Sequence, residues 1–121
     1  MPKLSSVWAV AAVAACAFVG PLLLGSGQAQ AACHPLTFHD EEPGGGGVCC
    51  FVDHFHYGTS SGGLDSKAQA LKQALSAWAD LVYLEYGSTY DKWDNARNKD
   101  ISCSHDAGWS CTVSARPCRR G

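Results

Sequence analysis

His54 and His56 stand two residues apart in the stretch Val48–Tyr57. On an extended strand alternate side chains share one face, so this spacing puts both imidazoles on one side, near enough to share a metal ion. Imidazole combined with carboxylate suits zinc, copper or nickel. His34, His39, Glu41 and His105 fall outside regularly patterned stretches and are the candidates to complete such a site. The same alternation also describes a plain polar strand face, with Phe55 turned inward. The first expectation is therefore no cofactor, and the alternative is zinc or copper at His54 and His56. Asp53 and Asp106 are the carboxylates placed to partner a histidine base, and Ser60 and Ser61 lie in a flexible Gly/Ser stretch. Neither serine has a G-x-S-x-G or S-x-x-K context. The sequence thus assigns no catalytic residue, and a small hydrolase is the least favoured class.

Cysteine carries the other chemistry. Of seven, Cys16 lies in an N-terminal apolar segment, leaving Cys33, Cys49, Cys50, Cys103, Cys111 and Cys118. No C-x-x-C pair occurs, so the usual zinc spacing is absent, and an even number in a small exported domain reads as three disulfides. The adjacent Cys49 and Cys50 are expected to take separate partners. Three cysteines precede the main helical stretch and three follow it, so complete pairing requires a bridge between the two groups. Such a bridge closes a loop of ~50 residues or more, worth ~4 kcal/mol in the chain-entropy view.

The N-terminal segment supplies the export argument. Lys3 is the only charged residue ahead of His34, Val7 to Leu24 is almost wholly apolar, and Ala29-Gln30-Ala31 follows a small polar stretch. A basic start, an apolar core and an A-x-A triplet are the parts of a secretory signal, with cleavage placed after Ala31. The apolar run of about 18 residues is at the lower limit for a membrane anchor, and Gly20-Pro21 interrupts it. Membrane contact is expected only through this segment before cleavage, and the destination is secreted or periplasmic.

A chain of 121 residues and 12.8 kDa leaves room for one small domain. Nine basic against eleven acidic residues give a net charge of −2, which argues against a nucleic-acid partner. Charged residues at 17% against 46% hydrophobic ones argue against wholesale disorder. The organisation expected is a signal at 1–31, a Gly/His-rich arm with one strand at 32–63, and a helix-helix-hairpin core at 64–121. In the arm, the flexible loop Pro43–Gly47 lacks the G-K-[ST] ending of a phosphate loop, and Val48–Tyr57 reads as a single strand. In the core, Ser66 and Gln69 have capping-box form, and Leu71, Leu75, Trp78 and Val82 recur at helical spacing, widened by Ala68, Ala74 and Leu81. Gly87 caps this helix. A second, shorter helix is expected over Thr89–Asn98, with Tyr90, Trp93 and Ala96 on one face. A hairpin follows, Ile101–Cys103 turning through Ser104–Gly108 into the alternating strand Trp109–Ala115, ended by Pro117. The fold class is a small disulfide-stabilised α+β domain with one long helix, one short helix, a C-terminal hairpin and an irregular or single-strand arm.

The string His54-Phe55-His56-Tyr57-Gly58, then Ala-x-x-Trp78, Glu85-Tyr86-Gly87, Trp93, Ala96, and Cys103 followed by Trp109-Ser110-Cys111-Thr112-Val113-x-Ala115-Arg116-Pro117-Cys118 resembles a group of small exported bacterial proteins of uncharacterised function. The resemblance covers roughly residues 52 to 119. It implies export and compactness, and no activity. The function expected is a non-enzymatic structural or binding module of the bacterial envelope or exterior. Tyr83 lies off the helical stripe, where an exposed aromatic would mark a recognition surface. The basic tail Arg116, Arg119, Arg120 reads as a solvated terminus, with contact to anionic envelope components as the alternative.

Overall fold

The computed structural model describes Cys33 and residues 39–121; the expected signal at 1–31, the cleavage expected after Ala31, and His34 lie outside the described residues. Along the chain run β1 (Glu41–Gly45), β2 (Val48–Phe51), β3 (His56–Thr59), α1 (Lys67–Tyr86), β4 (Arg97–His105), β5 (Trp109–Arg116) and β6 (Cys118–Arg120). One antiparallel sheet has the order β1-β2-β6 and the other β3-β5-β4, so the class is mixed helix and sheet.

The arm holds three strands where the sequence reading expects at most one. Gly46 and Gly47 both take positive φ, 61° and 75°, so the expected flexible loop is a tight turn joining β1 to β2. The expected strand Val48–Tyr57 is cut at Val52-Asp53, where Asp53 takes φ 52°. Opposite that break, Pro117 separates β5 from β6, because proline has no N–H to donate to a ladder. Phe51 N–H donates to the Pro117 carbonyl at 3.2 Å and Arg116 Nε to the Phe51 carbonyl at 2.9 Å, so the two sheets join through one bent ribbon.

The helix starts and stops on local chemistry. Ser66 Oγ accepts from the Gln69 N–H at 3.1 Å, and Gly87, at φ 83°, donates its N–H to the Tyr83 carbonyl at 2.8 Å. Its buried row is Ala70, Ala74, Trp78 and Val82, with Leu71 and Leu75 only partly covered, while Ala68 and Leu81 are exposed. The expected leucine stripe is therefore rotated toward alanine. The cause is Gly58: a Cβ built there would run into the Ala74 carbonyl oxygen and lie 2.5 Å from the Trp78 nitrogen. Backbone packs on backbone, and only small residues let α1 come that close to β3. Beyond it, Gly58 pairs with Val113, and Cys111, Val113 and Ala115 of β5 present the buried face beneath the helix. Trp78 fills the centre, fully buried, its Nε1 donating to the Ala115 carbonyl at 3.4 Å and its ring meeting Trp93 edge-on at 5.0 Å.

The short helix expected over Thr89–Asn98 does not form. Tyr90, Asn95 and Ala96 donate to carbonyls three residues back, which makes isolated turns, and β4 begins at Arg97. A segment this short propagates a helix poorly, and tertiary partners take its side chains instead. Tyr90 is drawn onto Phe51 at 4.4 Å and Trp93 onto Trp78.

The cysteines pair as Cys33–Cys49, Cys50–Cys118 and Cys103–Cys111. Cys50–Cys118 closes a separation of 68 residues and ties β2 to β6. Three disulfides fit an oxidising, extracytoplasmic environment. Among the described residues no helix is long and apolar enough to cross a membrane.

The helix-on-glycine packing makes two stability predictions for urea unfolding of the oxidised protein. Trp78→Ala is expected to cost ~3–5 kcal/mol. Gly58→Ala, which adds one methyl, is expected to cost ~1–3 kcal/mol through overpacking. A neutral Gly58→Ala would mean that α1 does not sit on β3 as described.

Candidate functional site

The histidines gather at the last turn of α1. His56 opens β3 on its helix-facing side, directly across from the buried Ala115. Its Nε2 lies 3.2 Å from the Tyr86 hydroxyl and 3.3 Å from Glu85 Oε2. His54 sits just before the strand, and its ring centroid is 6.2 Å from that of Tyr86. His39 meets the His54 ring at 4.4 Å and the Tyr86 ring at 5.3 Å. Tyr86 in turn packs on Phe51 at 4.3 Å. His54 and His56 share Tyr86 as a neighbour, but not as two positions on one strand face, since His54 lies outside β3, and the inward Phe55 is corrected. Phe55 is 43% exposed and His56 is the side chain that turns in, because β3 starts only after the Asp53 turn.

Burial pushes the His56 pKa below its ordinary value; Glu85 opposes that shift and His54 adds to it. The neutral ring is the form that ligates a metal. Burial pushes Tyr86 up to about 12, helped by hydrogen bonding to Glu85 and by its charge, so the phenol keeps its proton and stays a donor. His54 Nδ1 is a buried nitrogen with no hydrogen-bond partner. Among the described residues no group of three His, Cys, Asp or Glu side chains is placed to hold a metal ion.

The other candidates are drawn elsewhere. The Glu41 side chain is fully buried and takes Arg119 Nε at 2.8 Å and Nη2 at 2.7 Å, together with the Tyr90 hydroxyl. Burial and that hydrogen bond to Glu41 push Tyr90 up to about 12. His105 stacks edge-on against Trp109 at 4.9 Å, and Asp106 lies in the β4–β5 turn. Ser60 Oγ accepts from the Cys111 N–H at 2.9 Å and donates to the Ser61 carbonyl, so it closes the end of the β3–β5 ladder. The C-terminal arginines form part of the frame: Arg116 pairs with Glu42 at 2.5 Å, Arg119 with Glu41, and β6 pairs with β2. The solvated tail is corrected for Arg116 and Arg119, while Arg120 is exposed.

Exposed apolar side chains, a broken rim, stand on the last turns of α1 and beside the histidines in the chain. Leu84 is 77% exposed and Tyr57 61%, and Leu81, Tyr83 and Phe55 are also exposed. Gln73 Oε1 accepts from the Ser61 N–H at 3.2 Å and its Oγ at 3.0 Å, just beyond β3. The helical row Gln73, Ala77, Leu81, Leu84 therefore runs along the β3 side of α1. The sequence reading names Tyr83, puts Leu81 in the core-facing stripe that Gly58 rotates away, and passes over Leu84. It gives Glu85 and Tyr86 no role, naming them only in the Glu85-Tyr86-Gly87 string that carries the resemblance.

Comparison of the chain with family models, with curated proteins and with solved structures gives no match in any of the three.

The depressed His56 pKa has a defined consequence. On acidification through pH 6.5 the unfolded chain takes up this proton before the folded chain does. Stability present above pH 6.5 is therefore lost progressively below it. His56→Asn is expected to flatten that part of the stability curve, read as urea midpoints from pH 7.5 to 5; an unchanged slope would place His56 in an unperturbed setting.

Proposed function

We propose that the protein works outside the cytoplasm, secreted or periplasmic, as a small non-enzymatic binding or structural module of the bacterial envelope or exterior. The observation that carries this reading is the apolar rim, with Leu84 77% and Tyr57 61% exposed on a frame held by three disulfides. Large apolar side chains cost solubility when left in water, and clusters of them mark interaction surfaces. The resemblance to small exported bacterial proteins supports the location. The test is photocrosslinking in living cells, with a benzophenone amino acid at position 57 or 84, and at the exposed Lys72 as control. Discrete adducts from 57 and 84 but not from 72 are expected. No adduct from either rim position, or equal labelling from 72, would overturn the reading.

A second reading is favoured by the buried, unpartnered Nδ1 of His54 beside the His39 and His56 rings. A zinc or copper site there would use His54 and His56. Metal would then raise the melting temperature, since a ligand that binds only the folded state adds RT ln(1 + [L]/Kd). The effect would fade as pH falls through ~6.5 and vanish in the His54→Ala, His56→Ala double variant. An unchanged melting temperature at ~100 µM zinc and copper, enough to saturate a micromolar site, would exclude it.

A further inference from the structure

We propose that the open edge of β3, beneath the Leu81–Leu84 flank of α1, takes up an extended, lysine- or arginine-bearing apolar peptide segment as an added strand. This names the partner of the module and rests on that reading.

The phase of the ladder exposes the edge. Ser60 N–H donates to the Cys111 carbonyl at 2.9 Å, and pairing runs back through Gly58–Val113 to His56–Ala115. Alternation then turns the backbone groups of His56 and Gly58 toward β5 and those of Tyr57 and Thr59 away from it. Among the described residues, no strand pairs with that outer side. An unpaired row of N–H and C=O groups is a template for one kind of ligand, another extended backbone.

The other sheet edges carry devices that discourage such pairing over all or part of their length. β1 has Glu41, Glu42 and Pro43; β6 has Arg119 and Arg120; β4 has Arg97, Lys99 and Asp100 with a register shift in its first half, while its second half, Ile101–His105, has none. β3 reads His-Tyr-Gly-Thr, with none of them. Of the edges without such devices, it is the one that α1 overlies.

The roof sets the side chains of the guest. Because α1 sits directly on Gly58, its Ala77-Leu81-Leu84 row overhangs the strand's free side. A guest strand would turn every second side chain up against Leu81 and Leu84 and the others toward the Tyr57 side. Charge selects further. Glu85, beside His56 at the start of β3, leaves its carboxylate half-exposed, and α1 carries no Lys or Arg from Gln73 to its end at Tyr86. The complementary guest is basic.

A single extended peptide brings no helix of its own, whereas pairing β3 with its two-fold mate would crowd two copies of α1 side by side over strands ~4.8 Å apart.

The test titrates ¹⁵N-labelled oxidised protein with a blocked seven-residue peptide of alternating valine and threonine flanked by lysines. Saturable shifts centred on the Tyr57 and Thr59 amides are expected. Leu84→Lys, at a position too exposed to disturb folding, is expected to weaken binding about tenfold or more, as are a central proline in the peptide and glutamate in place of its lysines. No saturable shift up to about 1 mM peptide would overturn the proposal. So would shifts centred on β4, equal binding of the proline peptide, or concentration-dependent Tyr57 and Thr59 shifts without peptide, which would assign the edge to a second copy. Rim crosslinks in cells combined with a failed titration would leave the module standing and remove the added strand; absence of both would remove the two together.

Discussion

The seating of α1 on Gly58 is the contact from which the rest of the arrangement follows. It is a backbone-on-backbone approach at an edge strand, so it selects alanine on the helix face and puts Trp78 where it can reach across β5 toward Trp93. It also turns the leucines at 81 and 84 out to the side of the strand. Core and candidate surface are thus two consequences of one missing side chain. Had position 58 carried a Cβ, the helix would stand farther off and could roll its leucines under.

A second constraint is the bend of the ribbon at Asp53 and Pro117. It divides a long pairing into two short sheets and redirects His54 and His56 toward the end of α1. The Cys50–Cys118 disulfide lies on one side of that bend and the helix on the other. Arg116 bridges it, donating to the Phe51 carbonyl and pairing with Glu42. The Glu41–Arg119–Tyr90 network fastens the outer strand and the C-terminus to the turn after the helix. The carboxylate at its centre is fully buried, and such a group tolerates burial only when its charge and lone pairs are answered together, as they are here by the guanidinium and the phenol.

Much of the local structure was legible in the sequence. Ser66, Gly87 and the central Trp78 act as their patterns predict, because caps and large apolar residues carry signals confined to a few neighbours. The separate partners of Cys49 and Cys50, and a bridge between the two cysteine groups, followed from chain geometry and parity. What was not legible depends on distant parts of the chain. The Leu71/Leu75 stripe lost to the alanine row because Gly58 approaches from another strand. The Thr89–Asn98 helix lost to tertiary pull on Tyr90 and Trp93. Within the site, the histidine spacing was visible, but their sense was set by a positive-φ aspartate, and their partners Glu85 and Tyr86 lie 30 residues away.

The central claim is that β3 is bonded on one side and open on the other, under a helix fixed by Gly58. Amide hydrogen exchange of the free, oxidised protein reads this directly. The Gly58 amide, bonded to β5 beneath α1, is expected to exchange at least about 100-fold more slowly than those of Tyr57 and Thr59, its immediate neighbours. Equal protection across the three amides would contradict the account, because it would mean that the outer edge of β3 is already covered.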